Sequence, residues 1–139
     1  MDVRLARLDE LPQCQAVRHE VFVVGQGVPK AIEVDGRDGA CVHAIARDGD
    51  RVVGTARLRQ ADGKAKAERV AVLAAMRGRG IGVRLMDVLE AEAARMGHAE
   101  LVLHAQQAVV PFYERLGYEA CGAPFVEADI PHLPMRKAL

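Results

Sequence analysis

The chain has 139 residues, half of them hydrophobic but only 4% aromatic and none tryptophan, and its nineteen Lys and Arg balance its nineteen Asp and Glu. A chain of this length buries a core without disulfides or a structural metal, and this core must be built mainly from Ala, Val, Leu and Ile. Charge balance excludes the broad positive field that a nucleic acid or an anionic membrane would need, so any anion site must be local.

Asp2 to Leu8 alternates, with Val3 and Leu5 on one face, and predicts a half-buried strand. Asp9 offers an N-cap, and Leu11, Cys14, Val17 and Val21 follow at helical spacing. Residues 25 to 39, with several glycines, Pro29, Glu33, Asp35, Arg37 and Asp38, have the composition of a functional loop. Val42 to Arg47 and Arg51 to Arg59 predict two strands turned by Asp48-Gly49. A second turn at Asp62-Gly63 leads to a third strand, Ala67 to Leu73, which makes the middle of the chain an antiparallel meander.

From Ile81 the period changes. Leu85, Leu89, Ala93 and Met96 predict a helix of about four turns closed by Gly97. Glu100 to His104 is a compact strand, and a second helix starts near Pro111 and ends at Gly117. Tyr118 to Phe125 and Ile130 to Lys137 are the final strands, the last placed at an edge because Pro131 and Pro134 interrupt it. Those strands could pair within the chain or across a homodimer.

No linker, repeat or low-complexity tract divides the sequence, so residues 1 to 139 are expected to form one domain. Met1 to Arg4 lacks the pattern of a signal or transit peptide, and the longest wholly apolar run, Val70 to Met76, is too short to cross a bilayer. Cys14, Cys41 and Cys121 fit neither a disulfide framework nor a zinc site, and the scattered histidines lack a second ligand at helical spacing. The expectation is a cytoplasmic protein with no metal.

The chemistry concentrates at Arg77-Gly78-Arg79-Gly80-Ile81-Gly82, set between a strand and a helix. That arrangement aims free amides and a positive helix end at an anion, while the glycines admit close approach of phosphate oxygens. Arg84 adds charge at the same end. A P-loop needs Lys-Ser or Lys-Thr after its last glycine, but Val83-Arg84 stands there. A dinucleotide fingerprint needs a third glycine at 83 and a parallel sheet, and the preceding hairpins contradict it. The bland reading is a tight strand-to-helix connection with solvated arginines.

Arg77, Gly80 and Gly82 fill, in register, the Arg/Gln-x-x-Gly-x-Gly/Ala motif of the GNAT family of acyl-CoA-dependent N-acyltransferases, which this sequence resembles. The strand Glu68-Arg69-Val70-Ala71-Val72 and the later Phe112-Tyr113-Glu114-Arg115-Leu116-Gly117-Tyr118 match two further segments in order. The resemblance covers nearly the whole chain. It is nearest to the ElaA-like and YjcF-like branch through Val21 to Val24, Gln26, Val28-Pro29, Glu33 to Gly36, His43, His104 to Gln106, and Ile130-Pro131-His132 with Met135. Gly25 and Asp129 depart from that branch, where glutamate and glycine are expected.

The resemblance implies an α+β fold with a mixed, mainly antiparallel central sheet of about six to seven strands, flanked by helices and splayed at its middle strands. It implies acetyl-CoA as cosubstrate and direct transfer of its acetyl group to a small-molecule or protein amine. The main chain of Val70, Ala71 and Val72 would then pair with the pantetheine arm, the amides from Gly78 through Arg79, Gly80, Ile81 and Gly82 to Val83 would hold the pyrophosphate, and Arg77 and Phe112 would border it. Tyr113 corresponds to the family's general acid. Glu68, acting through water, and His104, whose pKa suits neutral pH, are the candidates for the base. Glu33, Asp35, His43 and His132 are placed on the acceptor side. A module of the same fold that holds coenzyme A without turnover is the alternative, kept open by Gly25.

Overall fold

In the computed structural model, which describes residues 1–139, the strands are β1 (Asp2–Leu5), β2 (Val42–Asp48), β3 (Arg51–Ala61), β4 (Lys64–Val72), β5 (Glu100–Gln106), β6 (Glu119–Ala120), β7 (Phe125–Glu127) and β8 (Ile130–Ala138). The helices are α1 (Leu11–Arg18), α2 (Lys30–Glu33), α3 (Ile81–Arg95) and α4 (Val110–Arg115). One sheet takes the order β1-β2-β3-β4-β5-β8-β6, with β7 beside β8. Only β4 and β5 run parallel. The fold is the expected α+β sheet, with eight strands in place of six or seven.

The meander follows from its turns. Asp62 and Gly63 both take positive φ, 53° and 75°, as a type I′ hairpin requires. Between β2 and β3 the turn centres on Gly49 and Asp50, one residue beyond the expected dipeptide, because Asp48 pairs with Arg51. The first helix also differs. Leu8–Glu10 is a 3-10 turn, and Asp9 is no cap, since its carboxylate meets Arg7 at 3.2 Å. Beyond α1 the chain widens into a π-helical turn over His19–Val24, which carries Val21 and Phe22.

Side chains of β3 alternate between two covered faces. On one, α3 lies so close that a Cβ on Gly54 would stand 3.1 Å from Leu85 Cδ1 and 3.2 Å from Ile81 Cγ2. On the other, α1 packs over β2, β3 and β4. The core built between them is the aliphatic one expected, with Leu85, Met86, Leu89, Leu101 and Val53 fully buried.

The proline-interrupted β8 is not an edge strand. It pairs along most of its length with β5 and on its other side with β6 and β7. Pro134 turns its carbonyl to Cys121 N, so its missing amide hydrogen faces the gap between β6 and β7. By strand alternation Pro131 faces the β5 side, beyond the last pair of that ladder, Gln106 with His132. Pro131 thus lies beyond the end of the β5 ladder, and Pro134 stands opposite Cys121, one residue past the end of β6.

The middle of the sheet is split. β4 and β5 pair only from Ala65 to Ala67 with Leu101 to Leu103. Above that point Thr55 pairs with Ala71 and Arg57 with Glu68, so Arg69 and Val70 together oppose the single residue Ala56. This is a β-bulge, with Arg69 at φ 53°, and the bend it imposes turns β4 away from β5.

Candidate active site

The split opens a cleft of about 800 Å³, walled by β4 and β5, the π-helical turn, the start of α3, and α4. Leu73 N–H bonds Val53 O at 2.9 Å, which fixes the alternation along β4. Leu73 and Ala71 turn their main-chain groups to β3, whereas Val70 and Val72 turn theirs into the split. Ala71 borders the cleft without offering it a backbone partner, so only two of the three expected β4 residues present a free edge. Arg77 Nε donates to Val72 O at 3.1 Å.

At one end of this edge stands the glycine turn. Gly78 and Gly80 both have φ 78°, and a Cβ on either would meet nothing within 4 Å. Gly80 is the N-cap of α3, so the first-turn amides of Ile81, Gly82 and Val83 lack intrahelical partners. Gly82 has a different reason to be glycine: its Cβ would stand 3.1 Å from Phe112 Cζ. Arg77 borders the cleft; Arg79 does not line it, and Arg84 turns away to Met1 O at 3.5 Å.

The cleft also carries titratable groups. Tyr113 is buried, edge-on to Phe112 at 5.0 Å and to Tyr118 at 5.8 Å. Burial alone pushes its hydroxyl pKa well up, so it stays protonated at physiological pH. His104, exposed to solvent on one side, lies edge-on to Phe125 at 4.8 Å, and partial desolvation, then the charge of Lys66, push its pKa below the ordinary value and leave a neutral ring. His132 sits on the same face of the sheet, stacked on Phe125, with Nδ1 2.7 Å from Ile130 O. Gln26 and Gln106 exchange side-chain hydrogen bonds of 2.9 and 3.3 Å across the cleft.

Glu68 is not placed to be a base. Burial alone would raise its pKa, but Arg59 and Arg57 bind it at 2.8 Å and Lys66 lies at 3.3 Å, which together hold the carboxyl at about 2. So weak a proton acceptor is an ion-paired strut.

The acceptor-side carboxylates are likewise committed. Glu33 is buried with one oxygen on Arg18 Nε, and it does line the cleft. Asp35 lies outside the cleft lining, held by Arg57 at 2.7 Å and Arg69 at 3.4 Å, and its pKa is depressed. Asp38 bridges Arg18 at 2.7 Å and Arg57 at 2.9 Å. His43 is also misplaced by the sequence reading. It is buried behind this network, with Nε2 3.0 Å from Asp38 O, and faces a separate small pocket beside Arg7 and Leu8.

The cleft thus gathers Val70, Val72, the glycine turn, Phe112, Tyr113, His104, His132, Glu33 and Glu68, and leaves out Arg79, Asp35 and His43. Sequence reasoning missed Arg18, Arg57 and Arg69, the arginines beneath and beside the bulge. Their only signal was a basic residue in segments that otherwise read as core, Arg18 at the end of α1 and Arg57 and Arg69 on β3 and β4.

A family model described as an acetyltransferase (GNAT) domain matches residues 10–139. The chain is 40% identical over 130 residues to the uncharacterized N-acetyltransferase YjcF of Bacillus subtilis (strain 168), covering 93% of each chain. Among solved structures, an acyl-CoA N-acyltransferase from Pseudomonas aeruginosa superposes with a TM-score of 0.86 at 32% identity, covering 99% of this chain and 100% of that one. Escherichia coli ElaA superposes with a TM-score of 0.88 at 26% identity, covering 99% of both. A strand bulged out of its ladder, a glycine turn at a helix start and a matching family model converge on one conclusion: the chain belongs to the GNAT acetyltransferase family, on the branch of YjcF and ElaA.

Proposed function

We propose that this acetyltransferase moves the acetyl group of acetyl-CoA directly to a primary amine held at the His104 end of the cleft. The observation that carries the reading is a single cleft lined by an anion-binding turn, an unpaired strand edge, a protonated tyrosine and a neutral histidine. The residues fit the cosubstrate. The left-handed glycines leave open space above the α3 amides, and the groove beyond has the size of a small-molecule site. The amides from Gly78 to Val83 would hold the pyrophosphate, and the main chain of Val70 and Val72 the pantetheine arm, once Arg77 releases Val72 O. Acetyl-CoA supplies the activated thioester carbonyl.

The chain's own groups manage the protons. His104, whose pKa desolvation and the charge of Lys66 hold below the ordinary value, accepts the proton that the amine loses as its nitrogen bonds to the acetyl carbon. Tyr113 gives its proton to the sulfur as the C–S bond breaks. Exchange through cleft water restores both residues. Glu33 and His132 would border the acceptor.

Thiol release from acetyl-CoA across a panel of primary amines tests the reading. The expected kcat/KM rises with pH through an inflection below histidine's ordinary 6.5, and that inflection disappears in His104→Gln. If coenzyme A binds but no amine accelerates thiol release, the chain is a coenzyme A-holding module and the catalytic reading fails.

A further inference from the structure

Arg69 holds the left-handed position of the β4 bulge, at φ 53°, where glycine or asparagine would fit without strain. Its side chain has a specific destination. Nη2 donates to Ile32 O and Glu33 O, both at 3.3 Å, and Nε reaches Glu33 O at 3.4 Å. These are the last carbonyls of α2, a four-residue helix too short to hold its own shape. The same guanidinium meets Asp35 Oδ2 at 3.4 Å, and Arg57, wholly buried beneath the bulge, takes Asp35 through two further bonds of 2.7 and 2.9 Å.

Ile32 and Glu33 line the cleft and are tied to β4 through Arg69. We propose that Arg69 is a positioning residue that ties this acceptor wall to the bulge, so that the wall and the strand edge presented by Val70 keep one fixed spacing. The inference rests on the reading of the cleft as the place where amine and acetyl group meet. It also accounts for Asp35, whose carboxylate anchors the wall from behind and does not touch the acceptor.

Three variants separate contact from strain. Arg69→Gly removes the guanidinium and relieves the backbone, Arg69→Ala removes it and keeps the strain, and Arg69→Lys keeps a charged donor. The amine probes are a diamine, an amino sugar, free lysine and a lysine-containing peptide. For whichever of these the parent accepts, KM for the amine rises about tenfold in both the glycine and alanine variants and is partly restored by lysine, while coenzyme A affinity stays within about twofold. Hydrogen exchange, which needs no acceptor, shows faster exchange at Glu33 and Val34, whose amides close the α2 turn onto Pro29 and Lys30.

Unchanged exchange in folded Arg69→Gly overturns the proposal. So does faster exchange with an unchanged amine KM, which makes the clasp purely structural, and so does an equal loss of coenzyme A affinity. A parent chain that neither binds coenzyme A nor turns over any amine refutes the catalytic reading instead, and the exchange result still decides whether the clasp exists.

Discussion

Gly80 offers a way to separate charge from shape at the anion-binding turn. Its φ is 78° and an added Cβ meets nothing, so a substitution costs backbone strain and not a clash. Asparagine tolerates this conformation best among the non-glycine residues, and aspartate has the same outline. Gly80→Asn and Gly80→Asp therefore differ by one charge. A carboxylate about 6 Å from two phosphate charges, at an effective dielectric constant of about 40, is disfavoured by about 2.8 kcal/mol, or about a hundredfold in affinity. The free protein responds in the opposite direction, because a negative charge at the start of α3 gains about 0.5 kcal/mol from the helix dipole. Calorimetric titration with coenzyme A beside thermal melts should show Gly80→Asp at least as stable as Gly80→Asn yet binding far more weakly, with the gap closing as salt rises. Equal affinities within about threefold, in two folded variants, would remove the pyrophosphate from this turn.

Tyr113→Phe keeps the buried ring and its edge contacts, so the melt should move little while turnover falls about a hundredfold; a loss of less than about twofold would make Tyr113 a packing residue. Glu68 should contribute acid sensitivity. Its folded pKa of about 2 lies below the ordinary 4.5, so its stabilisation is complete above pH 4.5 and is lost as pH falls toward 2. The upper limit is about 3 kcal/mol, and Glu68→Gln should flatten the stability profile over that window; an unchanged slope would refute the ion-pair assignment. Ala128 sits at φ 51° in the turn between β7 and β8, and Ala128→Asn should add about 1 kcal/mol, seen as a rise of about 4 °C in Tm. A lower Tm would show that the turn carries no strain.

The strands of the meander and the α3 helix were legible because alternation and a 3.6-residue period are local signals. So was the glycine turn, whose residues are contiguous. The split was implied by family resemblance alone, since the bulge that causes it places an arginine where sequence rules look for glycine. Glu68 and Asp35 were misread for a related reason. A carboxylate's freedom depends on which cations surround it, and Arg57 and Arg59 reach Glu68, and Arg57 and Arg69 reach Asp35, from other segments of the chain. The prolines of β8 correctly signalled missing donors. Where those donors would have pointed depends on where β5, β6 and β7 stop, which β8 itself does not encode.

The short ladder between β4 and β5 has a mechanical consequence. Strands β1 to β4 and β5 to β8 form two half-sheets joined edge to edge by three residue pairs, with α3 laid across the seam. Such a seam is where a domain loosens first, and the two halves can exchange amide hydrogens at different rates before the whole chain unfolds. A molecule lying along the split touches both halves and acts as a removable rivet. At a hundred times its dissociation constant such a ligand would add about 2.7 kcal/mol to the folded state, so a protein saturated with it would be held together by an element that it does not encode.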